Sequence, residues 1–310
     1  VPAHSLAPNP RDESPHPPGD EPFWNESWYF DGVSADPEIG VYVRLGNVPN
    51  RGSCLYTVAV VRPGKPTVMV TDYAGPSPVL DDRRQTVHGV GYEAVQECVT
   101  PLADYRIEFD GAATQYVDAM AVLRGEAGTP ATLTLDLHWI TDAEPYAWQA
   151  LPRYEIPCRV EGTIVIDDER IAVSGPGQRD HSWGPRDWWA NDWMWSAFHL
   201  GDGTRGHAVM LPDLPGVAIG YLQTGGEITE LTTGSSTFDK PADGLVSAAV
   251  LRLGDLADPL VIEVSPRGFG PLRLEAPDGR VTHFQRAMAT FTAADGRSGV
   301  GWIEWNINQH

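Results

Sequence analysis

Between Gly177 and Leu200 the chain reads GQRDHSWGPRDWWANDWMWSAFHL, the segment richest in side chains that could do chemistry. Trp183, Trp188, Trp189, Trp193 and Trp195 alternate there with Arg179, Asp180, His181, Arg186 and Asp187. Indoles bury, and they draw charged neighbours into a low dielectric, where charges pair or titrate far from their ordinary values. A carboxylic acid kept neutral in such a place is a strong local proton donor, which makes Asp180 the first candidate for a catalytic acid. His181 is the candidate for activating or orienting water. The ring faces of Trp28, Trp183 and Trp188 would stabilise a nearby carbocation by about 0.5–2 kcal/mol each. Arg186 is expected to fix Asp187 or to bind a substrate carbonyl or carboxylate. The competing reading is a salt-bridged turn, with Arg179 or Arg186 clamping Asp180 or Asp187 over a tryptophan-rich core.

Two further clusters combine acids with aromatic rings. In Phe23–Asp31, FWNESWYFD, strand alternation puts Glu26, Trp28 and Phe30 on one face and Ser27, Tyr29 and Asp31 on the other. In Gly299–Trp305, GVGWIEW, it puts Trp302 and Glu304 opposite Ile303 and Trp305. Glu26, Trp28 and Glu304 could thus face a cavity, and these three with Tyr29, Trp195 and His199 are the candidate substrate-binding residues. A plugging first strand and a closing last strand would give the same patterns. His199 and His207 flank a turn at Asp202–Gly203, but no third ligand follows at a known spacing, so no metal is expected. Asp180-His181-Ser182 holds triad residue types in positions too close to orient one another. No nucleophile elbow, P-loop or dinucleotide fingerprint is present, so no cofactor is expected either.

The elements that must position these residues read as short strands. Alternating runs from Phe23 onward, about sixteen in all, include Gly40–Leu45, Tyr116–Arg124, Thr132–Trp139, Met194–Leu200 and Val300–Asn306. Asp-Gly pairs at 110–111, 202–203, 278–279 and 295–296 and the Gly225–Gly226 pair mark turns between them. Gly at 32, Pro at 27 and Trp at 11 suit an all-β plan of many turns and large rings. The expected division is a Pro-rich extended arm over 1–22, a first barrel over 23–157 and a second over 158–310 with RDHSWG near its start. Pro145–Pro157 would carry the crossover.

A net charge of -20 argues against nucleic acid and anionic membrane surfaces as partners. No apolar run is long enough to span a bilayer. Three cysteines without paired spacing argue against a disulfide framework. The chain opens at Val1, which implies trimming and leaves room for a removed leader; the cytoplasm is the expected compartment.

At Asn25-Glu26-Ser27-Trp28-Tyr29-Phe30-Asp31 and Arg179-Asp180-His181-Ser182-Trp183-Gly184-Pro185-Arg186-Asp187-Trp188 the chain resembles the tandem lipocalin-like, calycin-type superfamily. That superfamily includes carotenoid 1,2-hydratases of the hydroxyneurosporene synthase type and AttH-like proteins. Kievitone hydratase and the decalin-forming Diels–Alderases are similar in plan. The resemblance implies two antiparallel β-barrels side by side, a cavity for an apolar small molecule, and no redox or metal cofactor. It matches His181 and Trp183 to the His-x-Trp pair of the hydratase site, and Trp28 and Tyr29 to the aromatic pair of the first strand. The acid-bearing Tyr-x-Asp strand of the hydratases has no counterpart in Trp195–Leu200. The expected function is cofactor-independent acid-base chemistry, as hydratase, dehydratase or isomerase, on a C=C bond or alcohol of a terpenoid, steroid-like or polyketide molecule. A carrier that sequesters a lipophilic ligand and a cyclase acting by shape are the alternatives, and the oligomeric state stays open.

Overall fold

The computed structural model describes residues 7–309. Strands β1 (Trp24–Val33), β2 (Gly40–Val48), β3 (Ser53–Val61), β4 (Thr67–Pro76), β5 (Val79–Asp81), β6 (Arg84–Gly89), β7 (Tyr92–Thr100), β8 (Asp104–Tyr116), β9 (Thr129–Thr141), β10 (Tyr146–Ala147), β11 (Arg153–Ile166) and β12 (Glu169–Pro185) form one antiparallel sheet. Because β9 pairs with both β8 and β11, eight of these strands close into a barrel, β1-β2-β3-β4-β8-β9-β11-β12. A second antiparallel sheet holds β13 (Trp193–Leu200), β14 (Arg205–Met210), β15 (Gly216–Thr224), β16 (Glu227–Asp239), β17 (Ala248–Leu253), β18 (Leu260–Phe269), β19 (Leu272–Glu275), β20 (Val281–Ala293) and β21 (Ser298–Gln309). Pairing of β18 with β20 bends it into a ring.

Period-two alternation sorts the core into three layers. Trp28, Phe30, Val41, Val43, Tyr56, Val58, Ile107, Leu135, Trp139 and Ile156 fill the first ring. Met194, Phe198, Leu251, Phe291, Ile303 and Trp305 fill the second. The opposite faces of the same strands meet between the rings: Tyr29, Tyr42, Ala59 and Met69 from the first, and Trp195, Ala197, Met288 and Trp302 from the second. Hydrogen bonds cross that seam, from Tyr42 Oη to Gly270 O at 2.8 Å and from Trp302 Nε1 to Gly32 O at 3.1 Å.

Several expectations change. Arg153–Ile166 and Glu169–Pro185 pair with β9 and β1, so they complete the first ring, and the chain changes sheets between Pro185 and Trp193 instead of between 157 and 158. Pro145–Pro157, expected as a crossover, contributes β10 and the start of β11. Tyr116–Arg124 is no strand: β8 stops at Tyr116, the Asp118 carboxylate accepts the Met120 N–H at 2.9 Å, and a single helical turn follows. Asp110–Gly111 lies inside β8. The arm is partly outside the described residues, at 1–6; its described part makes one 3-10 turn at Pro10–Glu13, opened by Asn9. Among the described residues no helix is long and apolar enough to cross a membrane.

Glycine makes close strand approach possible. A Cβ on Gly177 of β12 would sit 2.2 Å from Asp31 O of β1 and 2.4 Å from Val160 Cγ2 of β11. Gly177→Ala is therefore expected to push β1 and β12 apart and to cost about 1–3 kcal/mol, seen as a lower midpoint in thermal or urea unfolding.

Candidate functional site

Strand alternation splits the RDHSWG stretch between two places. The β1–β12 register sets Glu26 opposite Trp183, Trp28 opposite His181 and Phe30 opposite Arg179, and these side chains turn into the first ring. Ser27 lies opposite Ser182 and Tyr29 opposite Asp180, and these four turn outward, into a cavity between the rings. Neighbours in sequence thus serve different environments.

The inward set is closed by the arm. Arg179 donates from Nη2 to Glu13 Oε1 at 2.7 Å and from Nη1 to Glu13 Oε2 at 3.1 Å. Tyr154 donates to Glu13 Oε2 at 2.9 Å and lies 3.2 Å from His181 Nδ1. His181 Nε2 is 3.0 Å from Glu26 Oε1, which also accepts the backbone N–H of His16 at 2.9 Å and meets His16 Nδ1 at 2.8 Å. His16 stacks on Trp183 with centroids 3.6 Å apart, and Trp28 stacks on His181 at 4.6 Å. Burial opposes ionisation of Glu13 and Glu26, but Arg179 on the first and His16 and His181 on the second outweigh it, holding both carboxyls below their ordinary range. His16, Glu26 and His181 bring ligand-type atoms within 4.8 Å of one another, and all three are engaged in the hydrogen bonds just given. Both ring nitrogens of His181 are occupied and the ring is 1% exposed, so it faces this network and not the cavity between the rings. Glu26, Trp28 and Trp183 likewise face this closed network and do not line the cavity between the rings.

The outward set opens on a cavity of about 340 Å³, within the usual range for small-molecule sites. Its apolar wall includes Leu55, Trp148, Trp188, Trp193, Trp195, Leu272 and Phe284; its polar groups include Tyr29, Arg44, Arg153, Asp180, Ser182, Arg186, Arg286 and Glu304. Of the residues singled out from sequence, Tyr29, Asp180, Arg186, Trp188, Trp195 and Glu304 therefore come together. His199 does not. It is buried at the seam among Arg205, Asp142 and Gly177, where burial first and Arg205 second push its pKa down to about 3.

Asp180 sits at the meeting of β12 and β11. Arg153 donates to it from Nη2 at 2.8 Å and to Glu155 Oε1 from Nε at 2.7 Å. Glu155 is fully buried, also accepting from Gln178 Nε2 at 3.0 Å and lying 3.3 Å from His207 Nε2. Burial is the largest influence on Asp180; Arg153 opposes it and Glu155 adds to it, and the carboxyl is pushed up to about 7. Across the cavity Glu304 is ion-paired with Arg286 and accepts the indole N–H of Trp193 at 3.0 Å. The clamps foreseen in sequence are exchanged: Arg179 holds Glu13, Arg153 holds Asp180, and Asp187 is met by Arg280 at 3.2 Å instead of by Arg186.

Sequence reasoning missed Glu13, Arg44, Arg153, Glu155 and Arg286. No local motif marks any of them, and Glu13 meets Arg179 only across 166 positions. Strand alternation was the available signal for the separation of Asp180 from His181.

No curated protein matches the sequence. Solved structures match over nearly the whole chain at low identity. A Nitrosomonas europaea protein described as a "putative AttH" is 18% identical with a TM-score of 0.61, covering 98% of each chain. CghA in complex with Sch210972 is 11% identical with a TM-score of 0.55, covering 98% of this chain and 96% of its own. Kievitone hydratase of Nectria haematococca is 12% identical with a TM-score of 0.50, covering 90% and 88%. These likenesses establish the paired-barrel fold. The family described as "Domain of unknown function (DUF7064)" matches residues 9–309, and the chain belongs to that family.

Proposed function

We propose that the cavity between the rings is the active site of a cofactor-independent enzyme that adds water to, or removes it from, a C=C bond of a hydrophobic small molecule. The feature that carries this reading is Asp180, a carboxyl buried in a cavity walled by indoles, where burial pushes its pKa up to about 7. Protonating an alkene needs such a group. In the hydration direction the Asp180 proton passes to one alkene carbon, and the cation forms at the other beside the faces of Trp188, Trp193 and Trp195. Water adds there, and the proton that it loses returns to the Asp180 carboxylate, so the acid is restored without a cofactor. Arg153 at 2.8 Å steadies that carboxylate while it is ionised. The naming of one structural relative as a hydratase and the binding of Sch210972 by another support a small-molecule role.

The test is incubation with whatever small molecule co-purifies with the protein in water enriched in heavy oxygen. Gain of the label in an alcohol product, or loss of water from the ligand, is expected; recovery of an unchanged ligand would point to a carrier, and a ring-closed isomer without label to a cyclase. Activity is expected to fall as pH rises through about 7, because only the protonated Asp180 can donate.

A further inference from the structure

The cavity holds more positive charge than acid chemistry on an alkene requires. Four guanidiniums line it, from Arg44, Arg153, Arg186 and Arg286. Arg153 is paired with Glu155 and hydrogen-bonded to Asp180, and Arg286 is paired with Glu304. Among the described residues no ion pair or side-chain hydrogen bond engages the other two. Arg44 lies over the Trp188 ring, 5.0 Å from its centroid, and Nη2 of Arg186 is buried with no hydrogen-bond partner. The remaining lining carboxylate, Asp187, is turned to Arg280 at 3.2 Å. Burial lowers both arginines to about 10, helped by Arg286 at Arg44 and by Arg153 at Arg186 and opposed by Asp180 at both and by Glu304 at Arg44, and both stay charged at neutral pH. Both are half-buried, and neither has a carboxylate in hydrogen-bond contact, so two guanidiniums facing one cavity favour an anion from outside.

We propose that Arg44 and Arg186 receive an oxyanionic head of the substrate, a carboxylate or its delocalised equivalent, while the apolar body lies along Trp188, Trp193, Trp195 and Phe284. The substrate class is then an amphipathic acid and not a neutral hydrocarbon. A planar oxyanion accepts the paired N–H groups of a guanidinium side by side, which fixes where the rest of the molecule lies relative to Asp180. This inference rests on the reading of the cavity as the substrate site.

Decanoic acid and decanol, matched in length and differing in the head group, separate the two. Binding is read by calorimetry at neutral pH on the full chain. The acid is expected to bind at least about tenfold more tightly than the alcohol, as charge-assisted hydrogen bonds exceed neutral ones. In the Arg44→Gln, Arg186→Gln double variant that advantage should vanish while alcohol affinity and melting temperature hold. Equal binding of acid and alcohol by the unaltered protein would overturn the inference and leave the cavity reading standing. Binding of neither would overturn both. The comparison on the unaltered protein decides the matter even where the double variant does not fold.

Discussion

Asp180→Asn is expected to cut kcat by about 10²–10⁴-fold, the usual contribution of a positioned general acid, while substrate still binds. Asparagine keeps the shape of the side chain and can still meet Arg153, but it has no proton to give. The fold should persist, and pH linkage says in which direction stability moves. A carboxyl whose folded pKa is raised stabilises the native state below its unfolded pKa, about 3.9, and loses that contribution as pH climbs through the folded value, about 7. Above about 7 the native protein must hold a desolvated carboxylate at this position, a burden that the amide lacks. Asp180→Asn should therefore melt no lower than the unaltered chain at alkaline pH, with the difference shifting toward the unaltered chain as pH falls. Single-turnover rates and melting curves across pH check both halves. An inactive but unfolded variant would show that Asp180 serves structure, and full activity would remove it as the acid.

The second large effect lies on the other face of the same strand. Glu13→Gln should destabilise the protein by about 3–5 kcal/mol, because it leaves the Arg179 guanidinium, 2% exposed, without its counter-charge. At roughly 2–4 °C per kcal/mol for a chain of 150–250 residues, the melting temperature should fall by about 10 °C. Glu13 and Glu26 both have folded pKa values below the unfolded ones, so their contribution is present above the ordinary carboxylate range and is lost as pH falls through the lowered values. Acid should thus release the arm before the rings open. Limited proteolysis that cuts first near Pro10–Glu13 at acidic pH, and not at neutral pH, would show that order; a small Glu13→Gln effect would mean that the arm only wraps the surface.

Strand periodicity made the fold legible because each core layer repeats every second residue over runs such as Gly40–Leu45 and Thr132–Trp139. The same rule foretold that Tyr29 and Glu304 share faces apart from Phe30 and Ile303, and both do line the cavity. Applied to Arg179-Asp180-His181, it separates the acid from the histidine, and the sequence reading that paired them in one mechanism passed over it. What local sequence did not contain was the identity of each charge's partner. Arg179 meets Glu13 across 166 positions and Arg153 meets Asp180 across 27. The first needs the arm to fold back over the first ring and the second the β11–β12 register, neither of which a single run of residues announces. Large rings such as Tyr56, Trp139 and Trp28 fill the first interior, and the space between the rings stays open.

The central claim is that Asp180 carries a proton at neutral pH inside the cavity. Difference infrared spectra between the unaltered chain and Asp180→Asn, recorded across pH, observe that carboxyl directly. A protonated carboxyl band that converts to carboxylate as pH rises through about 7 is the expected result. A band already fully ionised at slightly acidic pH, with conversion only near the ordinary value of about 3.9, would contradict it.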